Sequence, residues 1–146
     1  MIDEDLRAAD YLALHEFRFQ IGRFLHFSEE AAKAEGLEPR QHQFLLAVKA
    51  NESGQPTVGE IARRLFIRHH SAVELADRLE ERGLAERIRG SDDRRQVHIR
   101  LTPEGAEKLR RLSRAHREEM LQAGPLLLDA LQQALLRFSS GNCDAA

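Results

Sequence analysis

The sequence LAERIRGSDDRRQVHIRLTPEG, residues 84–105, decides how this chain folds. Two short segments, 84–89 and 96–101, flank a charged and turn-rich tip at 90–95. Apolar and polar residues alternate in the second segment, which is typical of a half-buried strand. The stretch therefore predicts a β-hairpin that carries charge at its tip.

Two helical patterns separated by a short turn lie directly before this hairpin. Thr57 and Glu60 have the spacing of a capping box, in which each side chain satisfies a free backbone N–H at the helix start. Gly83 closes the following helix, which begins either near Arg68 or at a second capping-box pattern from Ser71. A hairpin after a helix-turn-helix is a winged-helix arrangement, which presents a helix and a wing to DNA.

Length and charge suit one compact DNA-binding domain with helical extensions. The 146 residues contain no run of 18 apolar residues, and their acidic start differs from a signal peptide. We therefore expect a cytoplasmic protein that does not bind a membrane. The net charge is −2, but residues 57–101 carry ten Lys and Arg against eight Asp and Glu. A locally basic surface on a mildly acidic protein fits a specific DNA binder.

The first 36 residues predict one long helix, from about Asp3 to Ala34. Its apolar stripe is wider than one core face needs, whereas an amphipathic helix usually has a single narrow stripe. The extra width favours a partner of the same sequence, and hence a homodimer. The alternative is a central helix buried within one chain. A second helix is expected from Pro39, because proline suits the first helical turn.

Two further helices are expected after the hairpin. The sequence Thr102-Pro103-Glu104 has a capping hydroxyl, a proline at the first helical position and an early acid. We expect one helix from here to about Ala123, a break at Gly124-Pro125, and another helix from Leu126. Both carry strong apolar stripes, which predict a pairing surface. The residues from Ser139 onward are expected to be frayed.

Three segments give the chain a family resemblance. LEERGL at 79–84, and DRR at 93–95 followed by LTPEG at 101–105, resemble the MarR family of bacterial winged-helix transcription regulators. The resemblance covers nearly the whole chain and implies a mainly α fold with a small β-hairpin wing. It implies three regions: an N-terminal dimerisation helix (1–36), a winged helix-turn-helix (37–101), and C-terminal dimerisation helices with a tail (102–146).

The resemblance also implies a function, which is regulation of transcription, as a repressor. A homodimer would bind a pseudo-palindromic operator in double-stranded DNA, with its recognition helices in successive major grooves and its wings at the minor groove. The family pattern Asp-x-Arg maps onto Asp93 and Arg95, on either side of Arg94. Arg95 would enter the minor groove, and Asp93 would brace it or cap the turn. The alternative is a surface ion pair of little energetic value.

The remaining DNA contacts are expected on the two helices of the helix-turn-helix. Arginine at the start of the recognition helix can bind guanine, while histidine and serine can donate to bases or phosphates. Arginines of the preceding helix are candidate phosphate contacts, with a solvated surface as the alternative. The predicted residues are Arg68, His69, His70 and Ser71 on the recognition helix, and Arg63 and Arg64 on the helix before it.

A ligand pocket between the dimerisation helices and the winged helix is a further implication of the resemblance. A small aromatic or apolar ligand there could release the DNA by favouring another spacing of the recognition helices. The alternative is that the same residues fill the core. The predicted lining consists of Phe17, Ile21, Phe24, Phe44 and Leu112, with His26 or His116 as polar groups.

Metal, cofactor and catalytic sites are not expected. The single cysteine, Cys143, excludes an intramolecular disulfide, and the first helix lacks the cysteine of the family's peroxide-sensing branch. The seven histidines are scattered, and the adjacent His69 and His70 diverge on a helix. There is no glycine-rich phosphate loop, nucleophile elbow or paired-carboxylate pattern, so the chain is not expected to be an enzyme.

The main alternative function is a winged helix that binds an acidic protein surface instead of specific DNA. Val73 and Glu74 leave room for this alternative, because the family commonly has threonine and arginine at these positions of the recognition helix. A glutamate that faces DNA repels phosphate unless it accepts from a cytosine amino group or pairs with an arginine. A footprint on DNA with strong salt dependence would distinguish the two functions.

Overall fold

The computed structural model describes residues 6–89 and 96–140 of the chain. Their contacts define a central unit, Glu29–Arg114, and a terminal unit, Met1–Ser28 with Ala115–Ala146. The described residues are mainly helical with one antiparallel hairpin, which confirms the predicted fold class. The elements are α1 (Ala8–Ala34), α2 (Pro39–Ala50), α3 (Val58–Leu65), α4 (His69–Glu81), β1 (Ala85–Arg89), β2 (Val97–Leu101) and α5 (Pro103–Ser140).

Local sequence signals set the starts of α2 and α3. Pro39 is the first residue of α2, as predicted, and the Glu38 N–H donates to the Gln41 side-chain oxygen at 3.0 Å. At α3 the predicted capping box is present. The Thr57 hydroxyl accepts from the Glu60 N–H at 3.2 Å, and the Thr57 N–H donates to the Glu60 carboxylate at 2.9 Å.

The start of the recognition helix, α4, is the earlier of the two predicted alternatives. Arg68 precedes the helix in an extended conformation, and its carbonyl accepts from the Ala72 N–H at 3.1 Å. A start at Ser71 is therefore wrong. The inner face of α4 consists of four buried residues, which are Ala72, Leu75, Ala76 and Leu79.

The hairpin is joined to α4 and α5 by a compact set of backbone contacts. Gly83 has a φ of +70°, a left-handed conformation that ends α4 and turns the chain into β1. The Thr102 hydroxyl donates to the Gly83 carbonyl at 2.6 Å and accepts from the Gly105 N–H at 3.1 Å. A Cβ on Gly105 would lie 1.9 Å from the carbonyl oxygen of Leu84. The segments LEERGL and LTPEG are thus in direct contact, and together they join the hairpin to α4 and α5.

The hairpin is also attached to the start of α3. Thr57 and His98 form an antiparallel β-bridge, and the Ile99 N–H donates to the Pro56 carbonyl at 2.9 Å. The His98 Nδ1 lies 2.7 Å from the Gln55 carbonyl oxygen. As the alternation predicted, β2 turns Ile99 into the core. The wing strands are therefore fixed to the helix-turn-helix along the edge of β2.

One apolar core holds the central unit together. It combines residues of the helices with residues of both strands, and its members are buried or nearly so. Burial of a leucine- or phenylalanine-sized side chain contributes about 1.5–3 kcal/mol, so these contacts dominate the stability of the unit. The largest fully buried side chains are Phe44, Leu45, Val48, Ile61, Leu79, Ile99 and Leu112.

The predicted break at Gly124-Pro125 is wrong, because α5 is one helix of 38 residues that contains Pro125. Proline removes one backbone donor, the one that would pair with the carbonyl of Leu121. A break would instead leave several N–H and C=O groups unpaired at two new helix ends. The single missing bond is the smaller cost. The fraying expected from Ser139 is also wrong for Ser139 and Ser140, which are helical; residues 141–146 lie outside the described part.

The terminal unit exposes many apolar side chains. α1 begins at Ala8, later than the predicted Asp3, which lies outside the described residues. The Arg7 N–H donates to the Asp10 carboxylate at 2.7 Å, and the Arg137 guanidinium binds the same carboxylate at 2.6 Å. Fourteen of the sixteen large hydrophobic residues that are exposed in the described ranges belong to this unit. Much of the apolar surface of its helices is thus exposed within one chain.

Candidate nucleic-acid interface

The C-terminal end of α3 and the N-terminal end of α4 carry a group of exposed basic side chains. Within residues 6–89 and 96–140, no carboxylate forms an ion pair with Arg63, Arg64 or Arg68. His69 and His70 are exposed in the first turn of α4, while Ser71 is half-buried. The six residues predicted for DNA contact on these helices therefore lie around one turn, and five of them are open to solvent.

The turn between α3 and α4 has a fixed backbone. The Ile67 N–H donates to the Ala62 carbonyl at 3.0 Å, and the Phe66 N–H donates to the Arg63 carbonyl at 3.3 Å. Phe66 itself is left-handed, with a φ of 54°, and its side chain is 95% exposed. From α2, the Arg40 guanidinium donates to the Leu65 carbonyl at 3.0 Å. A cation at this end also complements the negative end of the α3 dipole.

A pair of ion pairs connects the recognition helix to the first wing strand. The Arg87 guanidinium on β1 binds the Asp77 carboxylate at 2.5 Å and the Glu80 carboxylate at 2.6 Å, both on α4. Burial lowers the pKa of Arg87, but the bonds to Asp77 and Glu80 outweigh it and raise the pKa above its usual value. We call these three residues the Arg87 clamp. Sequence reasoning missed it, because its partners are separated by the turn at Gly83.

The two residues that left room for the alternative function, Val73 and Glu74, differ in their surroundings. Val73 is half-buried and packs against the core, so it supports α4 instead of facing a binding partner. Glu74 is exposed, one helical turn after His70. Glu74 is therefore the acidic residue of α4 that most directly borders the predicted base-contact residues. A separate ion pair crosses the hairpin, in which the Arg100 guanidinium binds the Glu86 carboxylate at 2.5 Å.

The wing residues Asp93, Arg94 and Arg95 lie outside the described part of the chain. The strands that flank them are in place: Arg89 at the end of β1 is opposite Val97 at the start of β2. The predicted strand segments thus agree with the observed strands to within one residue at each end. The roles predicted for the three tip residues stay predictions.

The residues predicted to line a ligand pocket divide between the two units. Phe44 and Leu112 are fully buried in the core of the central unit. In the terminal unit, the Phe24 and Phe27 rings meet the His116 ring edge-on, with centroids 6.0 Å and 5.4 Å away, and the His116 Nε2 lies 2.9 Å from the Ser28 hydroxyl. The predicted residues of the terminal unit are Phe17, Ile21, Phe24, His26 and His116. A shared pocket stays a prediction.

The described ranges were searched for side chains that could hold a metal ion and for helices that could span a membrane. No group of three or more His, Cys, Asp and Glu side chains there is placed to hold a metal ion. The helices of those ranges are all too short or too polar to cross a membrane. Cys143, the single cysteine of the sequence, lies outside the described residues.

Comparison with known proteins settles the family. Residues 35–96 match the sequence profile of the MarR family. The HTH-type transcriptional repressor MdtR of Bacillus subtilis (strain 168) is 32% identical, in an alignment that covers 72% of this chain and 74% of the repressor. The chain belongs to the MarR family. MarR proteins are transcription regulators, so the expectation that this chain is not an enzyme is confirmed by its relatives.

Solved MarR structures share the fold along nearly the whole chain. AbsC, a MarR family transcriptional regulator from Streptomyces coelicolor, superposes with a TM-score of 0.75 at 18% identity, covering 97% of this chain and 99% of AbsC. The F27L mutant of MepR from S. aureus, bound to an oligodeoxyribonucleotide, gives a TM-score of 0.64 at 18% identity, covering 93% and 99%. At these identities the likeness concerns the fold alone.

Proposed function

We propose that this MarR protein is a homodimeric, cytoplasmic repressor that binds a pseudo-palindromic operator and is released from it by a small aromatic or apolar ligand. Residues 37–101 would bind the DNA, and residues 1–36 and 102–146 would form the dimer. The observation that carries the proposal is the exposed basic group around the turn before α4. The names of the relatives support it, because MdtR is a repressor and MepR is bound to an oligodeoxyribonucleotide.

The basic group has the chemistry and position of a recognition surface. In helix-turn-helix proteins the first residues of the second helix meet base edges in the major groove. Here that position holds the Arg68 guanidinium, which can bind guanine O6 and N7 together, and the imidazoles of His69 and His70. Arg63 and Arg64 precede the turn and supply charge for phosphates. The clamp neutralises two carboxylates of α4, which lowers their repulsion of the DNA backbone.

The exposed apolar surface of the terminal unit supports the dimer. Soluble monomers rarely expose large contiguous apolar patches, and two-fold dimers bury such surface against its own copy. A dimer would also place two recognition helices about one helical turn of DNA apart, which matches the symmetry of a palindromic site. The wing would add a minor-groove contact through Arg95.

Ligand release is supported by the side chains that the resemblance assigns to a pocket. The aromatic cluster of Phe24, Phe27 and His116 offers apolar ring surface of the kind that an aromatic ligand could contact. A ligand would lower DNA affinity only by binding more tightly to a dimer whose recognition helices have another spacing. A thermal-shift series with aromatic acids tests this part, because a ligand that binds the folded state raises Tm. A series in which no compound raises Tm would contradict it.

The test of the function is a footprint on genomic DNA fragments, followed by binding to the protected duplex over a range of salt. The wild type should protect a pseudo-palindromic site, with affinity that falls steeply as salt rises. Arg68→Ala should weaken binding and relax specificity at one base pair of each half-site. Arg95→Ala should weaken binding and reduce the salt slope by about 2, because the dimer loses one arginine from each of its two wings. Arg114→Ala removes an exposed arginine of α5 and is the matched control, with unchanged binding.

The alternative, a winged helix that binds an acidic protein surface, predicts a different result in the same experiment. DNA binding would then be weak, without a footprint, and equal for all sequences. The exposed Glu74 beside His70 is the feature that keeps this alternative under test. A sequence-specific footprint would exclude it.

A further inference from the structure

Three helices have their C-terminal ends in the central unit and end in the same way, and one of them uses an unusual residue. At the ends of α1, α3 and α4, one N–H bonds three residues back and the next bonds five residues back, with a left-handed residue between helix and loop. α1 uses Gly36, with a φ of 73°, and α4 uses Gly83, with a φ of 70°. α3 uses Phe66, with a φ of 54°.

Phe66 is unfavourable in the isolated protein for two independent reasons. A residue with a Cβ enters the left-handed region at a cost in free energy that glycine does not have. The phenylalanine ring is also 95% exposed, the highest value among the exposed large hydrophobic residues of the described ranges. The ring therefore gains no packing within the chain that could offset the cost of its backbone conformation.

The surroundings of Phe66 indicate what it contacts. The residue lies between Arg64 and Arg68, in the turn that presents the basic group. Its backbone is held by the bonds at the end of α3, so the side chain leaves the surface from a fixed point of the turn. A protein partner with an apolar pocket here would have to accommodate Arg63, Arg64 and Arg68 as well, whereas a DNA duplex offers phosphates beside apolar groups.

We propose that Phe66 is a DNA-contact residue that packs against an apolar group of the operator, either a thymine methyl or deoxyribose carbons, next to the recognition helix. Phenylalanine is suited to apolar contact with the thymine methyl in the major groove. The contact adds affinity without releasing counterions, in contrast to the arginines around it. This inference rests on the proposed function, because it requires operator binding.

The test combines stability with binding to the duplex recovered by the footprint. Phe66→Gly should raise Tm by about 3 °C, because it removes the left-handed cost. The same variant should weaken operator affinity about a hundredfold, because each of the two half-sites loses one buried aromatic contact worth about tenfold. Its salt slope should equal that of the wild type. Opposite changes in stability and affinity are the signature of a residue kept for its contact.

Two further variants separate the ring from the backbone. Phe66→Asn keeps a residue that tolerates the left-handed region but removes the apolar group, so it should weaken binding as much as Phe66→Gly does. Phe66→Leu should retain most of the affinity. If Phe66→Gly weakens binding but Phe66→Asn does not, turn stiffness explains the effect and the proposal is overturned.

The source of the apolar group follows from replacing thymidine by deoxyuridine in the operator. If deoxyuridine lowers the affinity of the wild type but not that of Phe66→Gly, the contact is with the thymine methyl. If the wild type binds the two duplexes with equal affinity, the contact is with the deoxyribose. Both results support the contact. Unchanged operator binding by Phe66→Gly overturns it, as does a change in the dimer on sedimentation, which would indicate a protein contact. If the wild type itself gives no footprint, the proposed function has failed, which is a distinct result.

Discussion

Gly105 lies in the first turn of α5, where an added Cβ would come within 1.9 Å of the Leu84 carbonyl oxygen. Backbone atoms on both sides cannot move apart without opening the joint between the hairpin and α5. We expect Gly105→Ala to lower the free energy of unfolding by about 3 kcal/mol or more, as a severe case of overpacking. Urea unfolding measures the change.

Gly59 provides the matched control for this substitution. It is also near the start of a helix, but a Cβ there would meet only the Thr57 hydroxyl oxygen, at 3.9 Å. Gly59→Ala should therefore raise the free energy of unfolding by about 0.5 kcal/mol, because alanine favours the helix. Equal destabilisation by both variants would contradict the role assigned to Gly105.

Glu35 gives the central unit a predictable response to acid. The hydrogen bonds from the Arg111 side chain, reinforced by the charge of Lys108, hold the pKa of the Glu35 carboxyl below its ordinary value. A carboxyl whose pKa is lowered in the folded state adds stability that is fully present above its pKa in the unfolded state. This stability is lost as the pH falls through its pKa in the folded state. Unfolding followed below about pH 5 should show a steeper loss of stability in the wild type than in Glu35→Gln.

Arg111→Met tests whether that slope belongs to the pair. It removes the same bonds from the other side and also the contact of Arg111 with Glu107 at 3.5 Å, so it should flatten the pH dependence at least as much. The double variant with Glu35→Gln should be little less stable than Arg111→Met alone, because both substitutions remove the bonds between Glu35 and Arg111. An additive effect in the double variant would show that the two residues act separately.

Pro125 lies inside α5 and leaves the Leu121 carbonyl without its helical donor. Pro125→Ala restores that donor, so we expect the free energy of unfolding to rise by about 1 to 3 kcal/mol at fixed protein concentration. Gly124→Ala is the control, since a Cβ there has open space and alanine should add only about 0.5 to 1 kcal/mol. A loss of stability in Pro125→Ala would mean that the helix path requires the proline.

The Arg87 clamp joins α4 to β1, and its removal should affect DNA binding more than stability. Arg87→Met leaves Asp77 and Glu80 unpaired on the recognition helix. Loss of such a partly exposed network costs about 1 kcal/mol, while the two freed carboxylates repel phosphate and weaken operator binding. Anisotropy with the footprinted duplex and urea unfolding measure the two effects. Arg110→Met, which breaks an exposed pair with Glu107, should leave DNA affinity unchanged.

Elements whose signals are local could be predicted from the sequence. The capping box at Thr57 and the proline starts at Pro39 and Pro103 involve neighbours in the chain, so their spacing is informative by itself. The same reasoning failed at Pro125, because a local breaker was weighed without the cost of making two new helix ends. Local rules identify residues that start or break helices, but they do not compare the cost of one lost hydrogen bond with the cost of two new helix ends.

Contacts between distant residues could be predicted only through the family resemblance or not at all. The Arg87 clamp spans 7 and 10 residues across a reversal of the chain, and no periodicity marks it. The wing strands and the basic turn were predicted, but the exposure of Phe66 was not. A signal for it existed in the sequence: the closing residue of α3 is a phenylalanine where glycine would be expected.

The apolar faces of the terminal unit predict how the whole molecule assembles. Leu121 is 71% exposed and Leu136 is 64% exposed. Replacing both by glutamate should raise the dissociation constant of the dimer by about 100-fold or more, given the usual gain from burying leucine. Sedimentation over a range of concentrations measures it, and operator binding should be lost together with the dimer.

Leu46→Glu is the control for that experiment. Leu46 is similarly apolar and 46% exposed, but it lies on α2 in the central unit. This variant should remain a dimer at the concentrations at which the double variant dissociates. Dissociation of both variants would place the subunit contact elsewhere.

The bridge from β2 to the start of α3 also sets an order of events during synthesis. The Pro56 carbonyl accepts its hydrogen bond from the Ile99 N–H, which is synthesised 43 residues later. The Leu84 carbonyl accepts from the Thr102 N–H, which is also synthesised later. Chains emerge and fold from the N-terminus. The helices of the helix-turn-helix are therefore synthesised before the strand that holds them in place. A growing chain cannot complete its proposed DNA-binding surface until the first turn of α5 has been added.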